Sequence, residues 1–565
     1  MGDSHSENRL DSWKAIARHL DRSVRTVRRW EQLEGLPVHR HRHQAQASVF
    51  AYASELDAWR AERAEAPSPD RSGASSASAA SDADAEPGHT VGGRAPAKAT
   101  TAIAVLPFTY TGPDPAQAWV SEGFTEAMIS GFSKLASLRV TSRTSSAGFK
   151  GSTQDSGSIA RALGVSHLLE GAVVGDGKRL RIAVRLIDPT RDDHLWSRQF
   201  SGAMDEVFDI QERIARAVVA ALQLRLAPEE DRALSQRSIE DVAAWRRVVQ
   251  AREAAYRWRP DALERARVLL TEALALVGEN AVLCAAMGRV LLQFREAGLD
   301  TDERFLNEAA EWTRRAMAAD PHHLETHTLT GWLAYARGDL ATAIDELQAV
   351  VDVDHDHPDA MGLLINCLLL TGQENRARPI IEHLMAVDPL TPLTRCMPGF
   401  VDALEGQFQS AVEPYREMLD RDPANPVARL FNTWVLFAAG RDDEALAVAG
   451  GFDAAVLEST PAILTRRFAA AHLGTVEQVP LPKPVRAVVE TSEMFARLAA
   501  EAWAMAGNGE RTAHWLRLAA ARGFANWPYL DQHSAFLGAV ADHPEVQAVS
   551  AEVKRRWQAF QPASA

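Results

Sequence analysis

The side chains best placed for chemistry lie near the amino terminus, and they suit a polyanion. Arg25, Arg28, Arg29 and Gln32 recur at i, i+3, i+4 and i+7, which is one stripe of a helix. Arginine reads guanine edges in a bidentate way and also neutralises phosphates. Arg40 and Arg42 follow on one face of the alternating run VHRHRH. Charged helix faces are often merely solvated. Three arginines with a second basic segment beside them point instead to double-stranded DNA.

Elsewhere the chemistry is thin. His39, His41 and His43 alternate on one strand face, but no cysteine or acidic ligand stands near them in sequence. A metal needs a fixed, full ligand set, so a backbone contact or a solvated wing is the better expectation. Gly175-Asp176-Gly177-Lys178 lacks the spacing of a phosphate-binding loop and reads as a hairpin turn. No GxSxG, HExxH or GxGxxG run is present. Ser142, Thr144, Ser145 and Ser146 read as a turn between strand and helix rather than an anion loop. Cys284, Cys367 and Cys396 sit in apolar helices as buried thiols. Asp354-His355-Asp356-His357 reads as a solvated turn. No catalytic set, metal or cofactor is expected, and the chain does not read as an enzyme.

The basic residues need a scaffold, and residues 1–62 supply one. Ser12 can cap a helix with Trp13, Ile16, Ala17 and Leu20 on one face. Ser23 starts a second helix that runs to 34, with Val24, Val27, Trp30 and Leu33 inward, and Gly35-Leu36-Pro37 ends it. Segments 38–43 and 48–52 alternate like a β-hairpin, and Ser54 opens a third helix carrying Leu56 and Trp59.

On Ser23, Thr26, Arg28, Trp30, Glu31, Gly35 and Leu36, this head resembles the MerR type of winged helix-turn-helix. The resemblance implies that helix 23–34 enters the major groove while the hairpin grips the backbone. It adds Thr26 and Trp30 to the DNA-binding residues. Trp30 stands where tyrosine is usual, so an indole N–H replaces a hydroxyl at the phosphate. The long dimerisation helix of that family is replaced by a linker.

Charge follows the same division. The chain carries 61 basic and 75 acidic residues, a net −14, yet 13–43 holds eight basic against three acidic. Residues 63–100 are mostly Ala, Ser, Pro and Gly and cannot bury enough apolar surface to offset chain entropy. A flexible tether is expected there.

Residues 101–228 mix strand-length apolar runs with helical periods. Strands are expected at 101–107, 138–143, 167–174, 179–188 and 194–200, and helices at 123–137, 158–165 (capped by Ser158) and from Asp205 to about Leu226. Trp196 reads as core. On IAVLPF (103–108), the TSRTSS and GFKG region (141–151), LGVSHLLEGAV (163–173) and RLIDPTRDDHLWSRQF (185–200), this module resembles the TolB-amino-terminal-like (FlgO-like) domain. The resemblance implies an α/β binding or assembly module, often followed by tetratricopeptide repeats.

Such a repeat is visible in 238–560. Asp320, Asp354, Asp388 and Asp422 are each 34 apart, as are Gly338, Gly372, Gly406 and Gly440, and Ala343, Ala377, Ala411 and Ala445. This is the tetratricopeptide period. Glycine turns the chain between paired helices, alanine lets them approach, and Asp-Pro opens the next unit. Repeats fall at 324–357, 358–391, 392–425 and 426–459, with irregular pairs before them at 241–279 and 280–323. An interruption spans 456–490, a further pair follows at 491–523, and a closing cap ends the array. Stacked pairs form a superhelix with a concave face for a protein, a peptide or a second copy.

The expected architecture is therefore multidomain: a small α+β winged helix-turn-helix, an α/β module and an all-α tetratricopeptide superhelix. The expected function is a DNA-binding transcriptional regulator, with a homodimer on two half-sites as one route to higher affinity. The alternative is an interaction scaffold with incidental DNA affinity. No signal peptide or membrane span is legible, so a cytoplasmic protein is expected.

Overall fold

A computed structural model describes residues 9–10, 12–20, 27, 36–41, 48–53, 55–56, 59, 101–175, 178–190, 193–235, 237–298 and 303–561. The chain divides into two units, Met1–Arg94 and Ala95–Ala565.

In the first unit, β1 (Arg9–Leu10), β2 (His39–His41) and β3 (Ser48–Tyr52) form an antiparallel sheet in the order β1-β3-β2. The expected hairpin is present, with His39 opposite Phe50 and Arg40 opposite Val49. Helix Trp13–His19 starts where Ser12 Oγ accepts the Ala15 N–H at 3.1 Å, the cap read from sequence. Ile16, Leu20, Val27, Leu36, Ala51 and Leu56 bury together.

The second unit opens on a mixed sheet ordered β6-β4-β7-β8-β9. Its strands are β4 (Thr101–Val105), β5 (Thr109–Tyr110), β6 (Leu138–Val140), β7 (His167–Gly175), β8 (Arg179–Asp188) and β9 (Asp193–Ala203). The short β5 pairs with β7 off the main path. Strand β4 runs parallel to both β6 and β7, and β7, β8 and β9 are antiparallel. Alternation along β4 feeds two cores. Ile103 and Val105 join Phe124, Met128 and Ile214 on one face. Ala102 and Ala104 join Ile159, Ala160 and Leu163 on the other. The helix expected at 123–137 runs Trp119–Phe132. In the helix Ser156–Leu163 the cap is Asp155, not Ser158: Asp155 Oδ1 accepts the Ser158 N–H at 2.8 Å.

From Val242 onward the chain is helical. Pairs Val242–Ala255/Pro260–Val277 and Ala281–Glu296/Glu303–Ala319 precede four pairs at the 34-residue period. Those four begin with the helices Leu324–Arg337, Pro358–Leu370, Pro392–Leu404 and Pro426–Ala438. Gly338, Gly372, Gly406 and Gly440 turn each pair at φ between +67° and +79°, a region glycine enters without a Cβ clash. The interruption at 456–490 is narrower than the sequence suggested. Helix Thr460–His472 continues the series, and Gly474 takes φ +71° one period after Gly440. Only the second helix of that unit departs, giving way to the shorter Lys483–Thr491.

Candidate partner-binding site

The array is expected to offer a concave face to a partner, and its most buried first helix shows how tightly the repeats pack. Helix Pro426–Ala438 buries every residue from Leu430 to Phe437. A helix buried all round has neighbours on every side. Most of them are the adjacent repeat helices Phe408–Arg421, Asp442–Ala449 and Thr460–His472, and a later helix adds a buried hydrogen bond. Helix Glu493–Met505 packs on helix Thr460–His472, and Glu501 Oε2 accepts the Trp434 indole N–H at 2.6 Å. Glu501 Oε1 accepts the Tyr529 hydroxyl at 2.6 Å and Arg497 Nη1 at 2.8 Å. This buried ion pair, 0% and 3% exposed, also sets the Arg497 guanidinium over the Trp434 and Tyr529 rings.

Residues 522–533 then run along the repeat turns. Gly338 lies against Arg522 and Gly523, Gly372 against Asn526 and Trp557, and Gly406 against His533. Asn526 Nδ2 donates to the Leu369 carbonyl at 2.9 Å, and Ala525 N–H donates to the Leu370 carbonyl at 2.9 Å. The segment GFANWPYL is therefore more than an end cap. It adds a packed layer along the turns within three repeats.

One member of this layer carries a misplaced charge. Burial pushes the Glu493 carboxyl up to about 7, only partly opposed by Arg497, and its Oε2 has no hydrogen-bond partner among the described residues. Because its folded pKa lies above its unfolded one, stability is greatest below the unfolded value and falls as pH rises toward 7. The expected loss between about pH 5 and about pH 8 is roughly 3 kcal/mol. Urea unfolding of the parent and Glu493→Gln at both pH values checks this: the difference between the two proteins should grow with pH.

The opposite edge of the repeats holds the α/β module. Asp354 and Asp388, one period apart, are buried at successive inter-repeat turns. Asp388 Oδ1 accepts the hydroxyls of Ser142 and Ser145, the latter at 2.6 Å, and Oδ2 accepts that of Thr394 at 3.1 Å. Ser142 N–H donates to the Val387 carbonyl at 2.7 Å, and Arg139 to that of Ala386. One turn earlier, Asp356 Oδ2 accepts the Val140 N–H at 2.6 Å, and Asp354 accepts the Ser133 hydroxyl at 3.3 Å. The turn 354–357 is thus not solvated, as its composition suggested, but part of a domain junction. The polar run at 142–146 is the expected turn, since Ser142 caps the helix Arg143–Ala147, and it also grips a carboxylate of the same chain.

The junction continues through charge and close packing. A Cβ on Gly123 would come within 2.4 Å of the Trp245 ring, so glycine lets helix Trp119–Phe132 seat on helix Val242–Ala255. Arg252 bridges Glu126 and Glu325, and Arg289 meets Glu325 at 2.9 Å. Burial works against the Glu325 charge, but Arg289 and Arg252 override it and hold the carboxyl down at about 2.

The sequence-derived DNA residues are placed as follows. Arg25, Thr26, Arg28, Arg29, Trp30, Gln32 and Arg42 lie outside the described residues, as does the tether expected at 63–100. Arg40 is in β2, opposite Val49. His39 does have an acidic neighbour, contrary to expectation: its Nε2 lies 2.7 Å from Glu55 Oε2, brought close by folding. Among the described residues no three His, Cys, Asp or Glu side chains gather as a metal site. The three cysteines are free and buried, and burial pushes the Cys396 thiol up to about 12, far from a reactive thiolate. Trp196 packs beside Phe200 against the first core.

Residues 334–393 and 403–451 match the tetratricopeptide repeat family. These residues carry tetratricopeptide repeats. Over 197 residues the chain is 33% identical to a Rhizobium meliloti (strain 1021) protein named "Putative adenylate cyclase 3", covering 35% of this chain. The chain spans about a third (33%) of the length of that relative. Two solved tetratricopeptide proteins are also similar. TTC0263 of Thermus thermophilus is 17% identical with a TM-score of 0.28, over 34% of this chain and 100% of its own. A protein of Parabacteroides merdae ATCC 43184 is 12% identical with a TM-score of 0.30, over 52% of this chain and 99% of its own. No helix among the described residues is long and apolar enough to cross a membrane.

Proposed function

We propose that this chain is a tetratricopeptide interaction scaffold, a binding protein rather than an enzyme. The observation that carries the reading is the stack of helix pairs at a 34-residue period, matched to the family over 334–393 and 403–451. Such arrays offer extended surfaces to protein partners. Val353, Leu393 and Leu473 are each more than half exposed along this array and are natural contact points. A photo-crosslinking amino acid placed at each of the three, in the full chain inside cells, should give one shared heavier adduct. Absence of an adduct at all three overturns the reading.

A second reading adds DNA to the first, because the basic stripe is matched by a head with a capped helix and a three-stranded sheet. In it residues 1–62 form a MerR-like winged helix-turn-helix, 101–228 a TolB-amino-terminal-like module, and 238–560 the array. The head carries the scaffold to a promoter as a transcriptional regulator, as a monomer or a homodimer. Each bidentate arginine contact contributes about 1–3 kcal/mol of base discrimination. Arg28→Ala with Arg29→Ala in the full chain should therefore abolish a gel shift on its operator while leaving thermal unfolding unchanged. Parent binding should weaken steeply with salt. A shift that survives the double substitution removes DNA from the reading and leaves the scaffold standing.

A further inference from the structure

The α/β sheet changes its winding direction at β4, and a cavity sits at that point. The chain leaves β4 through helix Trp119–Phe132, on the face of Ile103 and Val105, and returns in β6 on one side. It leaves β6 through the short helix Arg143–Ala147 and then helix Ser156–Leu163, the latter on the face of Ala102 and Ala104, and returns in β7 on the other side. Two adjacent parallel strands thus send their outgoing segments to opposite faces. In open α/β sheets the crevice beyond the carboxyl ends of such strands is where small ligands bind.

Here that crevice is a cavity of about 150 Å³. Pro107 lines it just after β4, and Arg143, Ser146 and Lys150 line it after β6. Glu122 comes from the helix that follows β4, and Glu253 from helix Val242–Ala255 of the array. Ser146 is 1% exposed, and its Oγ has no hydrogen-bond partner among the described residues. An unsatisfied buried hydroxyl costs stability, so its persistence at a cavity wall calls for a partner.

The lining carries two cations and two anions. Glu122 bridges Arg143, at 3.2 Å, and Lys150. A ligand of a single sign would compete with one half of this bridge and leave the other half unpaired. A molecule bearing both signs replaces both halves. The volume fits about six to eight heavy atoms, by comparison with cavities near ~150 Å³ that admit benzene.

We infer that this cavity binds a small α-amino acid as its zwitterion. Arg143 and Lys150 take the carboxylate, Glu122 and Glu253 take the ammonium, and the Ser146 hydroxyl adds a hydrogen bond. Because Glu253 belongs to the array, the ligand touches both parts of the second unit and ties the α/β module to the first repeat helix. This goes beyond the scaffold and DNA readings and stands or falls apart from them.

The test uses the full chain and calorimetric titration with glycine, alanine, serine and threonine one at a time. Acetate and methylammonium serve as single-charge controls. At least one amino acid should bind saturably, with both controls about tenfold weaker or worse. The Lys150 side chain is 63% exposed, so Lys150→Gln should keep the parent melting temperature yet weaken binding by about tenfold. Glu253→Gln should do the same. The inference fails if none of the four binds, if either control binds as tightly, or if Lys150→Gln leaves affinity unchanged.

Discussion

Glu501→Ala should be among the most damaging single substitutions in the chain, costing about 3–5 kcal/mol of folding stability. The reason is what remains behind. Arg497 is 3% exposed and would lose its hydrogen-bonded counterion, keeping only the more distant Glu493, while the Trp434 N–H and the Tyr529 hydroxyl would lose their acceptor. These groups lie on three separate segments, namely a first helix of a repeat, the helix Glu493–Met505 and the turn Tyr529–His533. Losing the carboxylate therefore loosens the packing of the carboxy-terminal segments on the repeats. Glu501→Gln keeps one acceptor and should cost less. Tyr529→Phe removes a single hydroxyl and should cost about 1 kcal/mol. The double change Arg497→Met with Glu501→Leu should recover much of the loss, because an apolar pair of similar volume needs no desolvation. Urea unfolding of the four variants checks the ordering. If the alanine variant loses no more than the phenylalanine variant, the ion pair is not what holds the terminal segment.

The order of these costs also shows what a sequence can reveal. The 34-residue period was legible because each repeat obeys the same local rule: glycine at a positive φ, alanine at a close crossing and aspartate at the turn. The Ser12 cap, the head hairpin and the strands β4 and β8 were legible for similar reasons, since each depends on near neighbours. What could not be read depends on partners far away along the chain. Glu501 meets Trp434 across 67 positions, and Ser142 meets Asp388 across 246. The aspartate series was visible, but its spacing only says that each residue occupies the same turn. It does not say that two of those turns face another domain. The same holds for His39, whose acidic partner Glu55 lies 16 positions on, beyond the end of β3. The cavity at the switch point was invisible for a further reason: strand order, not strand existence, creates it.

Asp388→Ala should cost about 3 kcal/mol, because three buried hydroxyls would lose one shared acceptor at about 1 kcal/mol each. The effect should also be uneven. Ser145 would keep its contact with the Leu390 N–H, at 3.1 Å, and Ser142 its backbone bond to Val387. The neighbouring turn would still hold Val140 through Asp356. The module should therefore stay attached but melt earlier than the repeats, splitting one calorimetric transition into two. Ser142→Ala with Ser145→Ala approaches the same contact from the other side. It leaves Asp388 buried with only Thr394, and stranding a charge costs more than stranding hydroxyls. The serine pair should accordingly be at least as harmful as the aspartate change, and the triple variant no worse than the serine pair. If the two losses simply add, the hydroxyls and the carboxylate act independently and the junction is held elsewhere.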